Sequence, residues 1–200
     1  SGLFATPSKS GVNVTEDSAL SYATIYTCVR VISETVATLP KQLYRDMGDS
    51  RDVARDHYLY GILKHAPNPH QTAVQFWETY CGHMDLWGNA YALLDWNGAG
   101  RLRAMYNLHP GLVKPVLRRG VLSYDITSLE SGQVQNFPWW AVMHCALFGT
   151  DGLMGLSPIG LLRESIGLSM AAQEYASKFY SNNAQPGIVL ESAANVKAED

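Results

Sequence analysis

Ile25, Val29, Ile32, Val36 and Leu39 recur at i, i+4, i+7, i+11 and i+14, the spacing of one apolar face of an α-helix. Thr15 can cap this helix at its start, and Pro40 stops it. Gln42 to Arg45 then reads as a short strand, Met47 to Asp56 as an exposed polar loop, and His57 to His65 as a short helix. Pro67-Asn68-Pro69 is a stiff turn, after which Thr72 and Gln75 form a T-x-x-Q capping box opening a second strong helix. Its expected buried stripe is Ala73, Trp77, Tyr80, Met84 and Trp87. Gly88-Asn89 predicts a left-handed cap, and beyond it the period changes from helix to strand.

Ala90 to Trp96 and Arg101 to Leu108 flank Asn97-Gly98-Ala99-Gly100, a hairpin signal because Asn and Gly tolerate positive φ. Leu112 to Arg118 and Val121 to Thr127 flank Arg119-Gly120 in the same way. Ser128 to Pro138 reads as a loop or irregular edge, and a last strand is expected near Trp140 to Leu147. The fold class is therefore α+β: helices packed on a mostly antiparallel sheet, followed by a long helix.

That long helix is predicted to begin at Ser157-Pro158, with Ser as cap and Pro in the first turn, and to run about 25 residues, roughly 37 Å. Its apolar positions form two stripes: Ile159, Leu162, Ile166 and Met170 on one, and Leu161, Leu168, Ala172, Tyr175 and Phe179 on the other. Two apolar faces imply more than one packing partner, an awkward arrangement for a lone small domain. Pro186-Gly187 should then turn the chain into a short strand from Ile188 to Leu190, followed by a polar tail.

Composition adds three constraints. With 46% hydrophobic residues, 200 residues suffice for a real core in one or two domains. Fifteen basic against eighteen acidic residues give a formal charge of −3, which argues against tight binding of nucleic acid through its phosphates. Repeated around a hole, that charge would let a polyanion pass without sticking. Cys28, Cys81 and Cys145 are odd in number and lie in apolar stretches, so they do not read as a disulfide framework and suit a reducing cytoplasm. No apolar run approaches bilayer length, no membrane role is expected, and Ser1-Gly2-Leu3-Phe4 lacks the features of a secretory signal.

Chemical motifs are weak. His144-Cys145 near Asp151 holds the ingredients of a thiol nucleophile, and a Cys-dependent hydrolase centred on Cys145 is one alternative. Neighbours on a strand point to opposite faces, however, and a buried structural Cys is the commoner reading. The six histidines show no zinc-like spacing, so neither metal nor cofactor is expected. Gly149 to Ser157 resembles a phosphate cradle only superficially, since it lacks a Gly-Lys-Ser/Thr ending and G-x-G-x-x-G spacing; it reads as a turn delivering the long helix at a fixed angle. No catalytic residue is assigned. A generic oligomeric scaffold is a further alternative.

Several segments, in order, resemble the portal family of long-tailed double-stranded DNA phages. They are Ser18 to Pro40 with its closing Leu39-Pro40, Leu63, Pro67-Asn68-Pro69, Phe76-Trp77, Leu86 to Tyr91, Gly100 to Leu102, Leu108-His109-Pro110, His144, Asp151 to Ile159, and Gly167 onward to Asn183, Pro186-Gly187 and Leu190. The resemblance covers about residues 14 to 190.

The resemblance implies an N-terminal arm at 1–14, a wing domain at 15–156, a stem helix at 157–183 and the start of a clip region at 184–200, in a family whose members are considerably longer. It implies a structural subunit, not an enzyme, of a ring expected to hold twelve copies. That ring forms the DNA channel at the capsid vertex of the virion and assembles in the bacterial host cytoplasm. Implied partners are other copies of the chain, terminase, capsid or scaffold protein, a head-tail connector, and double-stranded DNA passing non-specifically. Arg163, Glu164, Glu174 and Lys178, which stud an otherwise apolar rod, are the expected polar contacts between adjacent stem helices.

Overall fold

The computed structural model describes residues 8–182. The predicted turn at Pro186-Gly187, the strand from Ile188 and most of the N-terminal arm lie outside the described residues.

Thr15 does cap a helix, through a reciprocal box with Ser18, but this is the single turn α1 (Glu16–Ala19) and not the start of the long one. Ser21 donates its hydroxyl to the carbonyl of Ser18, and Tyr22 is extended, so the chain breaks before α2 (Ala23–Thr38) begins. Leu39 is extended, as a residue before proline should be, and Lys41 closes the helix end by donating to the carbonyls of Val36 and Ala37. The polar stretch after it is more ordered than its composition suggests. β1 (Tyr44–Asp46) pairs with β2 (Arg51–Val53), because Asp46 accepts the amide of Gly48, whose φ of 87° closes the turn. α3 (Tyr58–Lys64) follows as expected.

α4 (Ala73–Trp87) carries the predicted Thr72/Gln75 box and ends on Gly88 at φ 72°. It packs on two sides, against the sheet and against α2, so its buried arc is wider than the predicted stripe. Ala73, Phe76, Tyr80, Cys81 and Leu86 are buried, while Trp77, Met84 and Trp87 are half-buried at the margin.

The β block is antiparallel throughout but divides into two three-stranded sheets. β3 (Asn89–Trp96) lies between β4 (Leu102–Leu108) and β8 (Val142–Ala146). β6 (Val121–Thr127) lies between β5 (Val113–Arg118) and β7 (Val134–Pro138). Of the two readings offered for 128–138, loop or irregular edge, the second holds for its last five residues, where β7 is an edge strand; its cross-strand partners on β6, not its own composition, hold it. Pro115 is tolerated because β5 is an edge. Strand alternation sorts the core: Ala90 and Ala92 face Phe76 and Tyr80 of α4, and their small side chains let the helix sit close. Tyr91, on the opposite face of β3, joins Val113, Tyr124 and Val142 in a core that ties the two sheets together.

The predicted 25-residue helix is two segments, α5 (Pro158–Leu161) and α6 (Arg163–Ser181), broken at Leu162 with ψ near 8°. Two anchors explain the break. α5 is tied to α4 and α1, since the Ser157 hydroxyl lies 2.9 Å from the Leu86 carbonyl and 2.9 Å from the Glu16 carboxylate. α6 is tied to the N-terminal segment, where Ser8 packs on Gly167 and the amide of Lys9 donates to Glu164 over 3.0 Å. One non-helical residue reconciles the two directions, leaving α6 about 28 Å long by the standard rise.

Candidate functional site

The junction at which β3, β8 and the glycine-rich loop meet fixes how α6 leaves the body. Asn89, the first residue of β3, is fully buried. Its Nδ2 donates to the Gly155 carbonyl at 2.8 Å and the Trp87 carbonyl at 3.1 Å, and its Oδ1 accepts the Gly155 amide at 2.8 Å. A side-chain amide thus pairs with a backbone peptide as a strand neighbour would. His144 Nε2 lies 3.2 Å from the same Oδ1. Because that oxygen can only accept, Nε2 carries the proton and Nδ1 accepts from the Tyr124 hydroxyl at 3.3 Å. The ring stacks on Tyr91 at a centroid distance of 4.3 Å, and burial pushes its pKa down to about 4, so it is a neutral connector at ordinary pH. The chain Tyr124–His144–Asn89–Gly155 links the second sheet to the start of α5.

Three glycines allow this closure. A Cβ on Gly155 would stand 2.1 Å from the Gly88 carbonyl oxygen, one on Gly88 2.1 Å from that of Leu156, and one on Gly149 1.8 Å from that of Met154. Leu147 also donates its amide to Gly88 at 2.8 Å. Asp151 folds the loop, accepting the amides of Leu153 and Met154 at 2.8 Å each; these donors, Met154 first, hold its carboxyl below the usual range. The stretch that superficially resembled a phosphate cradle directs its amides inward to protein acceptors.

The thiol chemistry weighed above finds no geometry here. Both nitrogens of His144 are engaged by Asn89 and Tyr124, and Asp151 caps its own loop. Cys145 is exposed, in place of the buried position expected for it. Among the described residues no group of three or more His, Cys, Asp or Glu could hold a metal, and no helix is long and apolar enough to cross a membrane.

α6 then presents the two faces read from its sequence, and they differ in what covers them. Ile166 and Gly167 are buried and Met170 half-buried against Val12, Val14, Ile25 and Val29. The opposite stripe of Leu161, Leu168, Ala172, Tyr175 and Phe179 is exposed, with Leu168 at 67% and Tyr175 at 73%. Tyr175 and Phe179 stack on each other across one turn at 6.4 Å. Leu162, assigned to the inner stripe, is exposed because it sits at the break. Leu161 also borders a recess of about 450 Å³ beside α5, lined by Trp87, Met154, Leu156 and Arg163.

The four polar residues expected on this rod occupy separate places. Arg163, half-buried, opens α6, and its buried Nε has no hydrogen-bond partner among the described residues. Glu164 receives the Lys9 amide. Glu174 and Lys178 pair with each other at 2.6 Å along the helix, and Lys178 accordingly holds the Glu174 carboxyl below its usual range. Asn89, His144 and Tyr124 escaped the sequence reading as a unit. Gly88-Asn89 and the run of glycines at 149–155 were visible as a cap and a turn, but nothing along the chain pairs residue 89 with residue 155.

The sequence profile of the phage portal protein family matches residues 23–200. The portal protein of Enterobacteria phage HK97 is 30% identical over 191 residues, covering 94% of this chain and 44% of that protein. The probable portal protein of Streptomyces phage phiC31 is 31% identical over 201 residues, covering 95% and 43%. The chain therefore spans less than half the length of these two relatives. Among solved structures, a chain from the neck of an empty gene transfer agent particle superposes with a TM-score of 0.72 at 22% identity, covering 86% of this chain and 48% of that one. The crystal structure of an HK97 family phage portal protein from Corynebacterium diphtheriae gives 0.58 at 14% identity, covering 93% and 56%. At these identities the likeness is one of fold.

Proposed function

The chain belongs to the phage portal protein family, and from that premise we propose that it acts as a non-catalytic structural subunit of a closed ring at the capsid vertex, the conduit for DNA during packaging and ejection. The observation that carries this reading is the outer stripe of α6. One side of the helix is buried in its own subunit, and the other offers Leu168, Tyr175 and Phe179 to whatever stands beside it. Such a row is costly to leave in water and suits repetition around an axis.

In this reading residues 15–156 form the wing, 157–183 the stem helix and 184–200 the start of the clip, with twelve copies in the ring. The Asn89 junction sets the angle between wing and stem, which must be the same in every copy if the ring is to close. Arg163, Glu164, Glu174 and Lys178 supply polar contacts between neighbouring stems. Terminase, capsid or scaffold protein and a head-tail connector dock on the assembled ring in the virion or, during assembly, in the host cytoplasm. Double-stranded DNA passes without sequence-specific contact, helped by the net negative charge of the subunit. Negative-stain imaging of the intact protein tests the proposal. Closed rings with a central hole are expected; a well-folded monomer at high concentration, with the α6 stripe covered by its own chain, overturns it.

A further inference from the structure

α2 has its large and small residues on unexpected sides. The positions it buries against α4 are Ser33 and Ala37, while Val31, Ile32 and Leu39 stand 56%, 50% and 57% exposed, with Val36 and Cys28 beside them. This face is apolar beyond what its side chains suggest. The threonines among and beside it direct their hydroxyls back into the helix: Thr27 to the carbonyl of Ala23, Thr35 to that of Val31 and Thr38 to that of Thr35. The charges on α2 itself, Arg30 and Glu34, pair with each other on another side of the helix at 2.6 Å, and the ammonium of Lys41 at its end is held by the carbonyls of Val36 and Ala37. A surface with its hydroxyls satisfied and its charges paired elsewhere loses little by leaving water.

A cyclic ring needs two different surfaces on each copy, because its contacts are head-to-tail. α6 offers one free apolar row, its other face being buried within the subunit. Among the described residues, α2 carries a second exposed apolar row. We infer that the exposed face of α2, formed by Cys28, Ile32, Val36 and Leu39, receives the Leu168–Ala172–Tyr175–Phe179 stripe of α6 from the adjacent copy in the ring. This inference rests on the ring reading above. The rows match in length and spacing: both extend eleven positions, about 16 Å of helix, at intervals of three and four. Ala172 opens a gap between Leu168 and the aromatic pair into which a ridge of Ile32 and Val36 can settle. Both rows lack charge, so neither leaves an unpaired ion in the contact. Each row offers four residues, against the roughly 20–30 a side of a standard specific two-body interface. Two copies alone are therefore held weakly, and the contact becomes stable when closure repeats it on both sides of every copy.

Cys28 provides a built-in probe. In the intact protein, Cys145→Ser removes the other exposed thiol, Cys81 being buried, and Ala172→Cys or Ser169→Cys places a partner thiol on α6. Rings confirmed by imaging are treated with a short bis-maleimide and resolved on a denaturing gel. A ladder of cross-linked copies is expected with either α6 cysteine, lost when Cys28→Ser is added, and labelling of Cys28 in untreated rings should be at least ~10-fold slower than in the urea-unfolded chain. Rings that give no Cys28-dependent ladder at either position overturn the α2–α6 contact while leaving the ring reading intact. Protected Cys28 without a ladder does the same, assigning the cover to another part of the same chain. Absence of any oligomer overturns both.

Discussion

Replacing Asn89 by Ala should detach α5 and α6 from the sheet while leaving the sheet itself folded. The side chain makes four hydrogen bonds, and its removal orphans the amide and carbonyl of Gly155, both inside the junction, and the Nε2–H of His144. Each buried polar group left without a partner costs about 1–3 kcal/mol, and water entering the vacated space recovers some of it, so a loss of about 3 kcal/mol is expected. For a chain of this size that lowers Tm by roughly 6–12 °C. The local signature is sharper. Hydrogen exchange at Gly155 should accelerate about 100-fold, because its amide loses its acceptor, the Asn89 Oδ1, whereas amides of β3 paired with β4 should change only with global stability. Asn89→Asp separates hydrogen bonding from shape. It keeps an acceptor for Gly155 but turns a second oxygen toward two carbonyls, so at neutral pH it should be worse than Ala and should partly recover as acid protonates the carboxyl. A Tm within about 1 °C of the parent, with unchanged exchange at Gly155, would refute the junction as the element that holds the exit helix.

Gly155→Ala should lose at least about 3 kcal/mol or fail to fold, since its Cβ would meet the Gly88 carbonyl, whereas Gly152→Ala, at φ 72° in open space, should lose about 1–2 kcal/mol; thermal melts that reverse this ranking contradict the close-packing argument. Burial, reinforced by the neighbouring His109, lowers the pKa of His83 to about 4, so the unfolded chain takes up its proton near pH 6.5 while the folded one does not. The stability this group contributes is complete above pH 6.5 and is lost as pH falls toward 4, amounting to about 2.5 kcal/mol at pH 4.5. Urea unfolding of His83→Gln should show a correspondingly shallower pH dependence than the parent, and parallel profiles would remove His83 as its source. Reversing both Glu174 and Lys178 preserves an i, i+4 pair within the helix, so Tm should hold while ring yield by imaging falls; unchanged yield removes the pair from the proposed subunit contact.

Local chemistry made much of this fold readable. The Thr72/Gln75 box, the left-handed Gly88, the Asn97 and Arg119-Gly120 turns and the Ser157-Pro158 helix start all work through residues within a few positions of one another, and each stands where its spacing indicates. Readings failed, or stayed open, where a distant partner competed. β7 exists because β6 pairs with it, and the expected stripe of α4 missed Phe76, Cys81 and Leu86 because two neighbours widen its buried arc. The single long helix became α5 and α6 because Leu86 and Glu16 hold one end while Ser8 and Lys9 hold the other.

Periodicity showed that the last helix carries two apolar stripes, and the order of short motifs indicated the family to which the chain belongs. Only the tertiary structure decided which stripe is free. The choice depends on Val12, Val14, Ile25 and Val29 arriving beside Ile166 and Met170 from more than a hundred positions away, while no described residue reaches Tyr175 in the same manner. The same holds for α2, whose exposed row follows from Ser33 and Ala37 being the positions that α4 approaches. Hydrophobic spacing along a chain records that a face must be covered. Which body covers it is set by where the rest of the chain comes to lie.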